Sequence, residues 1–149
     1  MPSENSVSPE LRSILEKASD FHGHLGPFVT VGVRMGLAGL DRIDPSCRQS
    51  LRIEASLPLR VPFSCVVDGL QTTTRCTVGN QKLSLKSGDT ITAAFETSKI
   101  GKPVIVALNQ QVFQGLKHKL LAERLSDSEL RKTAWMIAAL PEEELLVIT

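Results

Sequence analysis

The segment "PFVTVGVRMGLAGL", residues 27–40, is almost wholly apolar yet carries glycine at positions 32, 36 and 39. Its spacing predicts a helix opening at Pro27, where the missing N–H costs nothing, with Val29, Val33 and Leu37 along one face. A glycine inside a helix costs about 1 kcal/mol relative to alanine. Three of them imply close packing against another backbone, and that requirement constrains the fold more than any other feature of the chain.

The 149 residues are 42% hydrophobic, enough for one domain with a continuous core. Lysine and arginine number 17 against 16 acids, and a net charge of +1 makes no electrostatic case for nucleic acid or an anionic membrane as partner. No apolar run approaches the roughly 20 residues that span a bilayer, and "MPSENSVSPEL" lacks the basic and apolar regions of a leader, so a soluble cytoplasmic protein is expected. Three cysteines, Cys47, Cys65 and Cys76, contain no C-x-x-C pair. That excludes a zinc ribbon and a thioredoxin-type motif, and it points to reduced thiols.

Residues 1–7 read as a loose arm. Ser8 and Pro9 open a helix whose stripe is Leu11, Ile14, Leu15 and Ala18, ending near Asp20. After the glycine-bearing helix, "LRIEASL" alternates as a strand with one wet face. Pro58 and Pro62 keep the next segment extended. A short helix is expected from Ser64 to about Thr74, then strands in "KLSL", "TITAAFE" and "KPVIVAL". Residues 109–149 read as C-terminal helices, one from Asn109 to Glu123 and one from the capping box at Ser126–Glu129, with "EEELLVI" as a last turn or strand. The order predicts a single α+β domain over 1–149, with an antiparallel or mixed sheet of about four strands and helices on one face.

His22 and His24 flank Gly23 ahead of Pro27. In a looped backbone residues i and i+2 share a side, so their imidazoles can converge. Imidazole is the commonest metal ligand, but helix-end histidines also simply make hydrogen bonds, and the residues alone leave both readings open. Cys65 falls at an expected helix N-terminus, where the dipole favours a thiolate; it fits equally as a small buried apolar residue. Cys76 is eleven residues on, roughly 16 Å along a continuous helix, and can approach Cys65 only if the chain turns back near Thr74. Asp68 and Gln71 share a face one turn above Cys65; Asp68 can orient a histidine or complement the helix dipole. Cys47 and His118 read as incidental and solvated respectively. No nucleophile-elbow, catalytic-triad or dinucleotide signature is present.

Together, "FHGHLGPFVTVGVRMG" and "PFSCVVDGLQTTTRCTVGN" resemble the E-type domain family of formylmethanofuran dehydrogenases. That family pairs a histidine-glycine-histidine motif with a C-x-x-D-[GA]-[IL]-Q segment and a T-G-C-T turn, and the match covers most of residues 10–110. The resemblance carries over His22, His24, Cys65, Asp68, Gln71, Cys76 and Thr77. It implies a divalent metal, usually zinc, held by His22, His24, Cys65 and Cys76, and it implies a homodimer associated with molybdenum or tungsten enzyme subunits. Asp68, Gln71 and Arg75 are the residues expected to bind a cofactor or small ligand. Gly26 stands where many relatives have cysteine, Arg75 replaces a glycine, and no zinc ribbon is appended. Two further readings stand beside metal binding. One is a metal-free module in which Arg60 and Arg75 pair with an anionic ligand or a partner protein docks. The other is thiol chemistry at Cys65 with a histidine as base. No catalytic residue is assigned.

Overall fold

A computed structural model of the chain describes residues 4–99, 101–122 and 124–149. Its helices are α1 (Pro9–His22), α2 (Pro27–Asp41), α3 (Val66–Thr74), α4 (Gln110–Ala122), α5 (Asp127–Ala139) and α6 (Glu142–Leu145). Its strands are β1 (Arg52–Leu57), β2 (Leu83–Ser87), β3 (Thr92–Glu96), β4 (Val104–Leu108) and β5 (Leu146–Ile148). They form one five-stranded mixed sheet in the order β2-β1-β3-β4-β5, with β1 and β2 parallel and the other pairs antiparallel. The α+β class therefore holds. The fifth strand comes from the C-terminal segment, which turns once as α6 and then pairs Val106 with Ile148.

The parallel pair requires a crossover, and α3 supplies it between β1 and β2. In β1 the alternation puts Ile53, Ala55 and Leu57 into the core while Arg52 and Glu54 face out. Helix α2 is buried on both sides. Phe28, Val31 and Met35 pack with the sheet and α3, whereas Val29 and Val33 join Leu15, Ala18 and Trp135 in a second cluster with α1 and α5.

The glycines explain this placement. A Cβ on Gly32 would fall on the Val66 carbonyl, and one on Gly69 would fall on that of Val29, so α2 and α3 touch backbone to backbone. Gly36 meets Thr73, and Gly39 meets the ring of Phe95.

Two local expectations change. Helix α1 runs past Asp20 to His22 and stops because Gly23 adopts φ 106°, a left-handed cap. Of the arm, residues 1–3 lie outside the described residues; Glu4–Ser6 form a 3-10 turn and Val7 packs against the second cluster. Glu123, the expected end of α4, also lies outside them. The capping box is as expected, with Ser126 accepting from the Glu129 N–H and the Glu129 carboxylate accepting from that of Ser126.

Candidate functional site

The close α2–α3 crossing carries Asp68 to the C-terminal end of α1. There His22 Nδ1 and Asp68 Oδ2 are 2.6 Å apart, with the His22 side chain 11% exposed. The carboxylate accepts from Nδ1, and in the neutral ring this leaves the other nitrogen as an acceptor. That atom, Nε2, is buried and has no hydrogen-bond partner. A buried polar atom without a partner ordinarily costs about 1–3 kcal/mol, so its retention calls for a ligand.

His24 lies in the short connection after Gly23, with its ring centroid 4.8 Å from that of His22. The two imidazoles and Cys65 line one cavity of about 170 Å³. Gly26 also lines it, and a Cβ there would sit 3.4 Å from His24 Nε2. A side chain at this position would therefore point at His24. Leu120 of α4 and Leu130 of α5 close the cavity with Val61 and Pro62. None of these four was legible as a site residue. They are ordinary apolar positions whose convergence depends on long-range packing.

Behind His22 the polar contacts continue. Gln71 Nε2 donates to Asp68 Oδ1 at 3.4 Å, and Gln71 Oε1 accepts from the Val78 N–H at 3.0 Å. Gln71 thus braces Asp68 against the turn at Thr77–Asn80, where Asn80 Oδ1 accepts from the Thr77 N–H and Thr77 Oγ1 from that of Asn80.

Cys65 sits at the N-terminus of α3 as expected, but its surroundings do not favour the thiolate. It precedes α3 at the end of a 3-10 turn, half-buried, and burial pushes its thiol pKa up, with the Asp68 charge adding in the same direction. Both effects favour the protonated thiol.

Cys76, expected near the histidines, is placed apart from them. Helix α3 continues unbroken to Thr74, so the chain does not turn back and Cys76 lies at its opposite end. There it is buried in the core, with its thiol directed at the Leu51 carbonyl 3.5 Å away. Arg75 is beside it rather than beside the histidines, lining a cleft with Arg48 and Lys82. Arg60 stacks over Phe63, 5.4 Å from the ring centroid. Among the described residues, no three His, Cys, Asp or Glu side chains form a preassembled metal cluster. His118 is exposed, and Cys47 is half-buried in the 3-10 turn Pro45–Ser50.

Fold and site thus define a mixed-sheet α+β domain with a histidine–cysteine pocket at the junction of α1, α2 and α3. Residues 21–147 match the family model described as FmdE, molybdenum formylmethanofuran dehydrogenase operon, and the chain belongs to that family. A solved structure of a tungsten formylmethanofuran dehydrogenase FmdE-like protein from Syntrophus aciditrophicus superposes with a TM-score of 0.63 at 20% identity. The match covers 93% of this chain and 70% of that one, and it concerns the fold. A protein of Archaeoglobus fulgidus described as "Probable S-adenosyl-L-methionine-binding protein" is 28% identical over 162 aligned positions, which include 97% of this chain. The chain spans 44% of that relative's length. No helix among the described residues is long and apolar enough to cross a membrane.

Proposed function

We propose that the pocket binds one divalent ion of the zinc type, with His22 Nε2, His24 and Cys65 as protein ligands and Asp68 as the group that orients His22. One observation carries this reading: His22 Nε2 is buried without a partner while its Nδ1 is held by a carboxylate. Carboxylate–histidine pairs of this kind are the usual support of metal-ligating imidazoles. The donor set suits zinc, because imidazole and thiolate are its preferred ligands and three protein ligands leave a fourth position open. An ion held in this way supplies Lewis-acid chemistry to whatever donor takes that position. Membership of the FmdE family supports a role beside molybdenum or tungsten enzymes, whose subunits are the partners to test.

The name of the Archaeoglobus fulgidus relative raises a second reading, S-adenosylmethionine binding. The cavity of about 170 Å³ does not favour it, being smaller than the roughly 300 Å³ at which pockets for cofactor-sized ligands begin.

Metal analysis of protein purified without a histidine tag and equilibrated with zinc tests the proposal. A stoichiometry near one, lost in His22→Ala and Cys65→Ser, is expected. A value near zero in the unmutated protein refutes it.

A further inference from the structure

We infer that the cleft at the C-terminal end of α3 binds a doubly charged phosphoryl group, carried by a small soluble molecule, through Arg48, Arg75 and Lys82. The cleft lies at the other end of α3 from the histidines and does not depend on the metal proposal.

Three separate elements supply the cations. Arg48 comes from the 3-10 turn Pro45–Ser50, Arg75 from the cap of α3, and Lys82 from the position directly before β2. All three line the one cleft, and no aspartate or glutamate lines it. The ion pairs among the described residues are His22–Asp68 and Arg42–Glu142, so none of the three cations is neutralised within the chain. Gathered like charges repel one another, and a bound anion removes that repulsion. Lys82 Nζ donates to the Gln49 carbonyl at 2.9 Å, which ties the turn carrying Arg48 across the cleft towards Arg75.

The neutral polar groups of the last turn of α3 are already engaged. Thr73 Oγ1 donates to the Gly69 carbonyl at 2.9 Å and Thr74 Oγ1 to that of Leu70 at 2.7 Å, while the Cys76 thiol is directed at the Leu51 carbonyl. The donors left to a ligand are therefore mainly cationic, and a group made only of acceptors matches them.

The backbone of Arg75 is a second, independent observation. It holds φ 61°, where glycine is the ordinary cap and any residue with a Cβ is strained, and Asn80 Nδ2 fixes its carbonyl at 2.8 Å. A strained position kept for a large cationic side chain at a cationic cleft points to a use for that side chain.

Guanidinium forks pair bidentately with phosphoryl oxygens, and a phosphate monoester carries a charge of about −1.5 to −2 at pH 7. Three cations favour it over the single charge of a carboxylate. On a chain of net charge +1, cations gathered in one cleft suit a compact dianion, not the extended charge of a nucleic acid or an anionic membrane.

The test titrates the whole chain with phenyl phosphate and with benzoate, which share a ring and differ in head group, at an ionic strength of about 0.15 M. Backbone amide shifts of Arg75, Cys76 and Lys82 in nuclear magnetic resonance spectra report the binding. Phenyl phosphate is expected to saturate these residues at least about tenfold more tightly than benzoate. Arg48→Gln and Arg75→Gly should each weaken it by about tenfold or more, the loss expected for a charge-assisted hydrogen bond. Arg75→Gly relieves the strained cap, so its loss of binding is not a loss of fold. Arg60→Gln is the control and should change nothing, because Arg60 is stacked over Phe63 and does not line the cleft. Absence of saturable binding, equal affinity for benzoate, or binding unaffected by both arginine substitutions overturns the proposal. A short single-stranded oligonucleotide, or vesicles containing phosphatidic acid, that engage these residues more tightly than phenyl phosphate overturn the small-molecule assignment.

Discussion

His22 and Asp68 are 46 positions apart in the chain, yet His22 Nδ1 and Asp68 Oδ2 are 2.6 Å apart. This contact orients the His22 ring, and a change at Asp68 should act on the proposed metal site without dismantling the fold. Asp68→Asn keeps the shape and removes the charge. Zinc affinity, measured by competition with a chromophoric chelator, should fall about 10- to 100-fold, the usual cost of losing a partner behind a ligating histidine. Unchanged affinity would show that Asp68 does not orient His22.

Gly26 is the position at which a cysteine would add a ligand to the proposed metal site. Its backbone is extended, with φ −127°, so a side chain introduces no strain, and the added Cβ would lie 3.4 Å from His24 Nε2. Gly26→Cys should bind zinc at least tenfold more tightly than the unmutated protein in the same competition assay. Weaker binding would place the ion elsewhere.

The contact between α2 and α3 should be intolerant of even one methyl group. Gly32→Ala drives its Cβ onto the Val66 carbonyl, and overpacking of this kind costs about 1–3 kcal/mol or more. Gly115→Ala in α4 is the control. Nothing lies within 4 Å of its Cβ position, so it should stabilise the protein by up to about 1 kcal/mol. Urea titration of both variants measures the two effects, which should have opposite sign.

Arg75 caps α3 in the left-handed region at φ 61°, where a side chain is strained and glycine is not. Arg75→Gly should raise stability by about 1 kcal/mol in thermal or urea unfolding. Zinc affinity should not change, because Arg75 is at the other end of the helix from the histidines.

Stability should also fall in alkali through Cys76. Burial raises its pKa in the folded protein. Below the ordinary thiol range near 8.5 both folded and unfolded states keep the proton. As pH rises above it, the unfolded chain ionises first, and stability is progressively lost until the folded thiol titrates as well. The decline above about pH 8.5 should be shallower in Cys76→Ala than in the unmutated protein, whatever the stability of that variant at neutral pH.

What the sequence by itself determined is whatever depends on neighbours along the chain. The start at Pro27, the capping box at Ser126–Glu129 and the alternation of β1 follow from local backbone preference and periodicity, whereas α1 ran two residues past its expected end. The two motifs likewise named His22, His24, Cys65 and Asp68. Tertiary structure decided which of the named residues meet. The α2–α3 glycine contact brings Asp68 under His22, while an unbroken α3 carries Cys76 and Arg75 away from the histidines. It also set the surroundings of Cys65, where burial and the Asp68 charge both favour the thiol. Leu120 and Leu130 become walls of the cavity only when α4 and α5 dock. Local rules act over a few residues, whereas desolvation and convergence depend on elements far apart in sequence being packed together.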